Sequence, residues 1–224
     1  MKKTITSAKI AVITASLGGF DKVEAHIPQS IPYDYFLYTD KNLPKFKTMA
    51  PRLQAKIPKC FAWQMTPGYD YYFWIDGSLV LTNPDSLKYF YDNCQGYDIV
   101  TLRHPRRSTV KQEARYLERG LEQESRYLVG RYLNEQMNEQ MAEIKTDPNF
   151  GDDLLVIGGV FMYKNTPKVQ EMLKEWWYHS SRYTVMDQLS FPYLLKKFGL
   201  KVNVRPDIYN DCPYLRQKGH IKRS

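Results

Sequence analysis

Hydrophobic positions in this chain gather into short continuous runs, most of them closing on small or polar residues. The central one is Tyr71-Tyr72-Phe73-Trp74-Ile75, which runs into Asp76, Gly77 and Ser78 before apolar residues resume at Leu79. A continuous apolar run of this length predicts a strand buried on both faces. Similar runs predict a first strand at 9–15 followed by a glycine loop, a second at 33–40 and a further one at 97–102. A buried strand is expected at 154–163, carrying the pair Gly158-Gly159, and a short last one at 201–204.

Between the strands the apolar spacing turns helical. A helix is expected between 51 and 63, with Arg52, Lys56 and Lys59 along it; Arg52 and Lys56 are four apart and share a face. Another follows Asn83-Pro84-Asp85. A long polar helix is expected from Val110 to about Ile144, with Gly120 and Gly130 placed to break it in two, as an excursion covering the sheet. Thr166-Pro167 is a cap followed by a proline at the first helical position. A last helix starts near Met186-Asp187-Gln188 and stops at Gly199. Strands alternating with helices predict an α/β fold: a Rossmann-like domain with a mostly parallel central sheet flanked by helices.

The length of 224 residues suits one large domain. No apolar run approaches the ~20 residues of a transmembrane segment, and the basic N-terminus reads as the approach to a strand, not as a signal peptide. Three scattered cysteines, Cys60, Cys94 and Cys212, argue for a reducing compartment and a cytoplasmic location. The net charge of +8 favours an anionic partner: nucleic acid, a membrane surface or a phosphorylated small molecule. Much of that charge sits in the loop 103–107 and the tail 216–223. No nucleic-acid motif appears and the basic residues cluster at strand ends, so nucleic acid is the rival partner and not the expected one.

Asp76 at the carboxyl end of a buried strand lies where open α/β sheets bind ligands. With Gly77 for close approach and the Ser78 oxygen, it suits a hard cation carrying a diphosphate; a plain Asp-Gly turn reads equally well from these three residues alone. Glycines within a strand, as at Gly159, mark a close approach by another group. Asp187 reads either as a helix cap or as a base, and His104 as packing or as a ligand contact. Asp152 and Asp153 form a turn or an alternative base. Trp176 and Trp177 are core or a sugar-stacking pair.

A strand ending in Thr39-Asp40, a strand ending in Asp76-Gly77-Ser78 and a late Gly219-His220 together resemble the GT-A glycosyltransferases. Trp74-Ile75-Asp76-Gly77-Ser78, Arg103-His104-Pro105-x-Arg107, Met186-Asp187-Gln188-Leu189-Ser190-Phe191 and His220-Ile221-Lys222-Arg223-Ser224 are similar to a small glycosyltransferase-like subfamily of bacteria, plants and large algal viruses, which includes viral rhamnosyltransferase domains. In the viral members such a domain leads a longer protein, and this chain ends within the Lys222-Arg223-Ser224 motif.

The resemblance implies a single GT-A domain that moves a sugar from a nucleotide-sugar donor, a UDP-sugar such as UDP-rhamnose or UDP-glucose, to a glycan acceptor. It implies a Mn²⁺ or Mg²⁺ cofactor at Asp76, Ser78 and His220, with Ser78 standing where the family's DxD motif has its second Asp. Thr14, Thr39, Asp40, Arg52, Lys56, Gly77, His104, Gly159, Lys222 and Arg223 become donor-binding candidates. Asp187 matches the base of inverting members. A relative that binds nucleotide sugar without turnover is the other alternative.

Overall fold

A computed structural model describes residues 8–44, 46–207, 209 and 211–218. The tail candidates His220, Lys222 and Arg223 lie outside the described residues.

The described residues open with β1 (Ile10–Ser16) and β2 (Asp34–Thr39). The helix expected between 51 and 63 is two pieces, α1 (Pro51–Gln54) and α2 (Lys56–Met65), joined at Ala55. Next come β3 (Tyr71–Ile75), β4 (Leu79–Leu81), α3 (Ser86–Cys94) and β5 (Ile99–Arg103). The excursion is α4 (Val110–Glu122), α5 (Arg126–Tyr132) and α6 (Met137–Thr146). Then follow β6 (Val156–Lys164), α7 (Pro167–Arg182), α8 (Asp187–Lys197), β7 (Val202–Arg205) and β8 (Leu215–Gln217).

Six strands form the central sheet in the order β2-β1-β3-β6-β5-β7. The β1–β2, β1–β3 and β5–β7 pairs are parallel, and β6 alone runs against its two neighbours. The mostly parallel α/β sheet expected from the pattern is therefore present. A second ribbon pairs β4 with β8, whose three residues carry no strand signal strong enough to read in sequence.

Alternation sorts the buried strands onto two faces. Ala11, Ile13 and Ala15 of β1 and Tyr72 and Trp74 of β3 pack with residues of α2, α7, α8 and the excursion. Ile10, Val12, Tyr71, Phe73 and Ile75 pack with α3 and the β4–β8 ribbon. Trp176 is fully buried and stacks on Phe191 at 4.1 Å between centroids, so it is core and not a sugar platform.

The excursion corrects the expected long helix. Its breaks fall at Glu124 and Asn134, both at positive φ, while Gly120 and Gly130 lie within helices. A side chain on Gly120 would collide with the Leu128 side chain, so this glycine brings α5 close onto α4. Asp152 and Asp153 are spoken for as well. Asp152 accepts from the backbone N–H of Val110 (2.7 Å) and Lys111 (3.3 Å) at the start of α4, and Asp153 pairs with Lys196.

Candidate active site

At the edge of the sheet where β1, β3 and β5 present their carboxyl ends lies a cavity of about 530 Å³. Strand ends supply Ala15, Ser16, Trp74 and Asp76, and the turn after β3 adds Gly77 and Ser78. The loop after β5 supplies His104 to Arg107, and α1 and α2 supply Arg52, Lys56 and Lys59. The excursion closes one side with Tyr116, Tyr127, Arg131 and Tyr132. Such a crevice is the ordinary ligand position of an open α/β sheet.

Its floor is an ionic cluster. Lys56 pairs with Oδ1 of Asp187, and Lys59 Nζ stands 2.6 Å from Oδ2 of the same carboxylate and 3.6 Å from Oδ1 of Asp76. Lys56 and Lys59 are three apart on α2, so both reach the floor from one helix face. Burial pushes the Asp187 carboxyl up, but the two ammonium groups outweigh it and hold the group below the ordinary carboxylate value. Lys56, buried with one carboxylate against it, is held below the usual lysine value; burial also opposes Lys59, yet Asp187 and Asp76 together hold it above. Lys59 also lies 5.2 Å from the Trp74 ring centroid and 5.3 Å from that of Trp176.

Asp187 is not the cap of α8. Met186 occupies that position without a side-chain hydrogen bond, and the carboxylate turns to the lysines instead. Asp76 keeps a more open setting, its side chain 41% exposed and its Oδ1 accepting from Trp74 Nε1 at 2.7 Å.

Two glycines of β6 make room for these carboxylates. A Cβ on Gly158 would fall 2.5 Å from Asp187 Cβ; one on Gly159 would fall 2.5 Å from Tyr209 Oη and 3.0 Å from Asp76 Oδ2. Both glycines sit where the β5–β6 register shifts, which frees this stretch from regular alternation. Burial pushes the Tyr209 hydroxyl well up, and Asp76 and Asp187 add to it. Gly77 approaches the Ala15 carbonyl and Asp21, and Ser78 is held by the backbone bond from Lys218 N–H to its carbonyl, 2.8 Å.

His104 organises the loop after β5. Its Nδ1 accepts from the N–H groups of Arg106 (3.3 Å) and Arg107 (3.0 Å), while Glu113 pairs with Arg107 and lies 3.7 Å from Nε2. Burial lowers its pKa despite Glu113, so the ring is a neutral strut at the cavity wall. Arg52 donates to the Arg131 carbonyl and lies 4.8 Å from the Tyr132 ring centroid.

Of the residues singled out in sequence, Arg52, Lys56, Asp76, Gly77, Ser78, His104, Gly159 and Asp187 meet at this cavity. Thr14, Thr39 and Asp40 are not among its lining residues. Thr14 is buried with its hydroxyl unpaired, Thr39 bonds to Asn42, and Asp40 accepts from Gly18 N–H at 3.0 Å. Lys59, Arg131 and Tyr209 were not foreseen as site residues. The spacing from Lys56 marks Lys59, whereas nothing in the sequence marks the other two.

Cationic lining residues (Arg52, Lys56, Lys59, Arg106, Arg107, Arg131) outnumber anionic ones (Asp21, Asp76, Glu113, Asp187), so the cavity suits an anionic ligand. The family model described as the TOD1/MUCI70, glycosyltransferase-like domain matches residues 41–220. Among curated proteins, none matches the chain.

Proposed function

The chain belongs to the TOD1/MUCI70 glycosyltransferase-like family, and on that footing we propose that this cavity transfers a sugar from a nucleotide-diphosphate donor to a glycan hydroxyl. Family membership supports a glycosyltransferase with a sugar donor and an acceptor. The observation that carries the finer reading is the open carboxylate of Asp76, set beside an excess of cations at the carboxyl edge of the sheet. A UDP-sugar, with UDP-rhamnose and UDP-glucose as the first candidates, is the donor we infer, in a GT-A arrangement. Its diphosphate lies near Asp76 and the arginines of the 104–107 loop, and its nucleoside towards Thr39 and Asp40 beyond the glycine loop.

Mn²⁺ or Mg²⁺ is the proposed cofactor, held by Asp76 and Ser78 with His220 as a third ligand, and Lys222 and Arg223 would add charge at the diphosphate. Among the described residues no group of three His, Cys, Asp or Glu gathers to hold a cation. With Asp76 and Ser78 as its only described ligands, such an ion would keep several waters and take its remaining ligands from substrate phosphates. The cation would supply charge neutralisation at the departing diphosphate.

Asp187 is the proposed base, and inversion the proposed outcome. Lys56 and Lys59 each occupy one of its oxygens, and each oxygen retains a further lone pair for the acceptor hydroxyl. The lysines keep the carboxylate ionised at the cost of basicity. An Asp76→Ala variant that kept full transfer activity in a nucleotide-release assay would overturn the donor assignment.

A further inference from the structure

Tyr209 occupies a place in the floor that the reading above leaves without a task. Its side chain lines the cavity, and its hydroxyl lies against the bare face of Gly159, where Asp76 Oδ2 also crowds. Asp187 faces the neighbouring glycine, so the phenol shares the β6 glycine slot with Asp76, one residue along the strand from the place where Asp187 packs. Neither of them has claimed it. Asp76 Oδ1 takes the Trp74 indole and Lys59, Asp187 takes both lysines, and among the described residues no hydrogen bond involves the Tyr209 hydroxyl.

A phenol offers one O–H donor and carries no charge at neutral pH. It therefore adds a donor beside the Asp76 carboxylate without adding a further charge. Lys56 and Lys59 are already neutralised by the carboxylates they touch, which leaves Tyr209 as an unengaged donor of the floor.

We propose that Tyr209 is a catalytic residue whose O–H donates a hydrogen bond to the phosphate oxygen that departs from the sugar. The proposal rests on the nucleotide-sugar reading of the cavity. In the step it serves, the bond between the anomeric carbon and the donor phosphate oxygen breaks, and its electron pair stays on that oxygen. The acceptor oxygen forms the new bond to carbon and gives its proton to Asp187. Tyr209 keeps its proton, and its hydrogen bond strengthens as charge grows on the leaving oxygen. An interaction that grows towards the transition state appears in kcat, with little effect on ground-state binding.

The glycine slot belongs to the same device. A methyl group at position 159 would fall 2.5 Å from the phenol oxygen and 3.0 Å from Asp76 Oδ2, so Gly159→Ala displaces Tyr209 and crowds Asp76 as well.

The test uses the full chain, with UDP-glucose, UDP-rhamnose and GDP-mannose as probes. Donor affinity is measured by calorimetry, and turnover by release of nucleoside diphosphate with water as acceptor. Tyr209→Phe is expected to bind the preferred donor within about 3-fold of the parent and to release diphosphate about 100-fold more slowly, the usual effect of removing one such donor. Gly159→Ala is expected to slow release as Tyr209→Phe does and, because it also crowds Asp76, to weaken donor binding, with a cooperative thermal melt retained. An unchanged release rate in Tyr209→Phe overturns the proposal, as does a loss confined to binding. A parent protein that binds none of the three probes defeats the nucleotide-sugar reading itself and this proposal with it. Those two failures are distinguished by the parent's own titration.

Discussion

Gly158 and Asp187 are in direct opposition: a Cβ on the glycine would stand 2.5 Å from the Cβ of the aspartate. The strand therefore gives up a side chain so that α8 can deliver a carboxylate to the lysines of α2. Gly158→Ala is expected to push Asp187 off Lys56 and Lys59, with a stability loss of about 1–3 kcal/mol from overpacking and a larger loss of activity. Gly130→Ala is the control, since nothing lies within 4 Å of a Cβ there and α5 is helical. It should be neutral or stabilising by up to about 1 kcal/mol. Paired thermal melts of the two variants decide the point.

Lys59 is 2% exposed and shared between two carboxylates. Lys59→Met preserves much of its volume but leaves Asp187 with Lys56 alone of its two lysine partners and removes the ammonium that stands 3.6 Å from Asp76. Removing one member of a buried ion cluster costs about 3–5 kcal/mol. Denaturant unfolding should show that loss. Lys88→Met, which breaks an exposed pair with Asp92, should leave the midpoint unmoved.

The sheet was legible because its strands are continuous apolar runs bounded by turns, and both faces of β1 and β3 are indeed buried. The site was legible where a residue's type and its place at a strand end carried the signal, as at Asp76 and the Gly158-Gly159 pair. Asp187 reads in sequence either as a base or as a helix cap, since an aspartate at a helix start ordinarily caps; two lysines from 131 and 128 residues away claim its carboxylate, so it does not cap. Tyr209 was invisible for the same reason, since its place in the cavity depends on a contact with β6 that no local pattern encodes. Gly120 misled because helix-breaking and close packing ask for the same residue.

His26 makes stability depend on pH. Burial, with Lys218 nearby, lowers its pKa from 6.5 to about 4, and its Nδ1 accepts from Leu81 N–H at 3.3 Å. The unfolded chain takes up a proton below pH 6.5 that the folded chain refuses until about pH 4. Stability therefore falls as pH drops through that window, by up to about 3 kcal/mol from this residue. Urea midpoints at pH 7 and pH 4.5 should differ less in His26→Asn than in the parent.

The most direct test of the donor site is calorimetric titration of UDP, UDP-glucose, UDP-rhamnose and GDP-mannose into the parent and into Asp76→Ala, each with Mn²⁺ and with EDTA. One nucleotide class is expected to bind the parent, with binding that weakens when EDTA removes the cation and an Asp76→Ala variant that loses the cation-dependent part. Equal binding by parent and variant, or no binding of any nucleotide by the parent, would contradict the donor assignment.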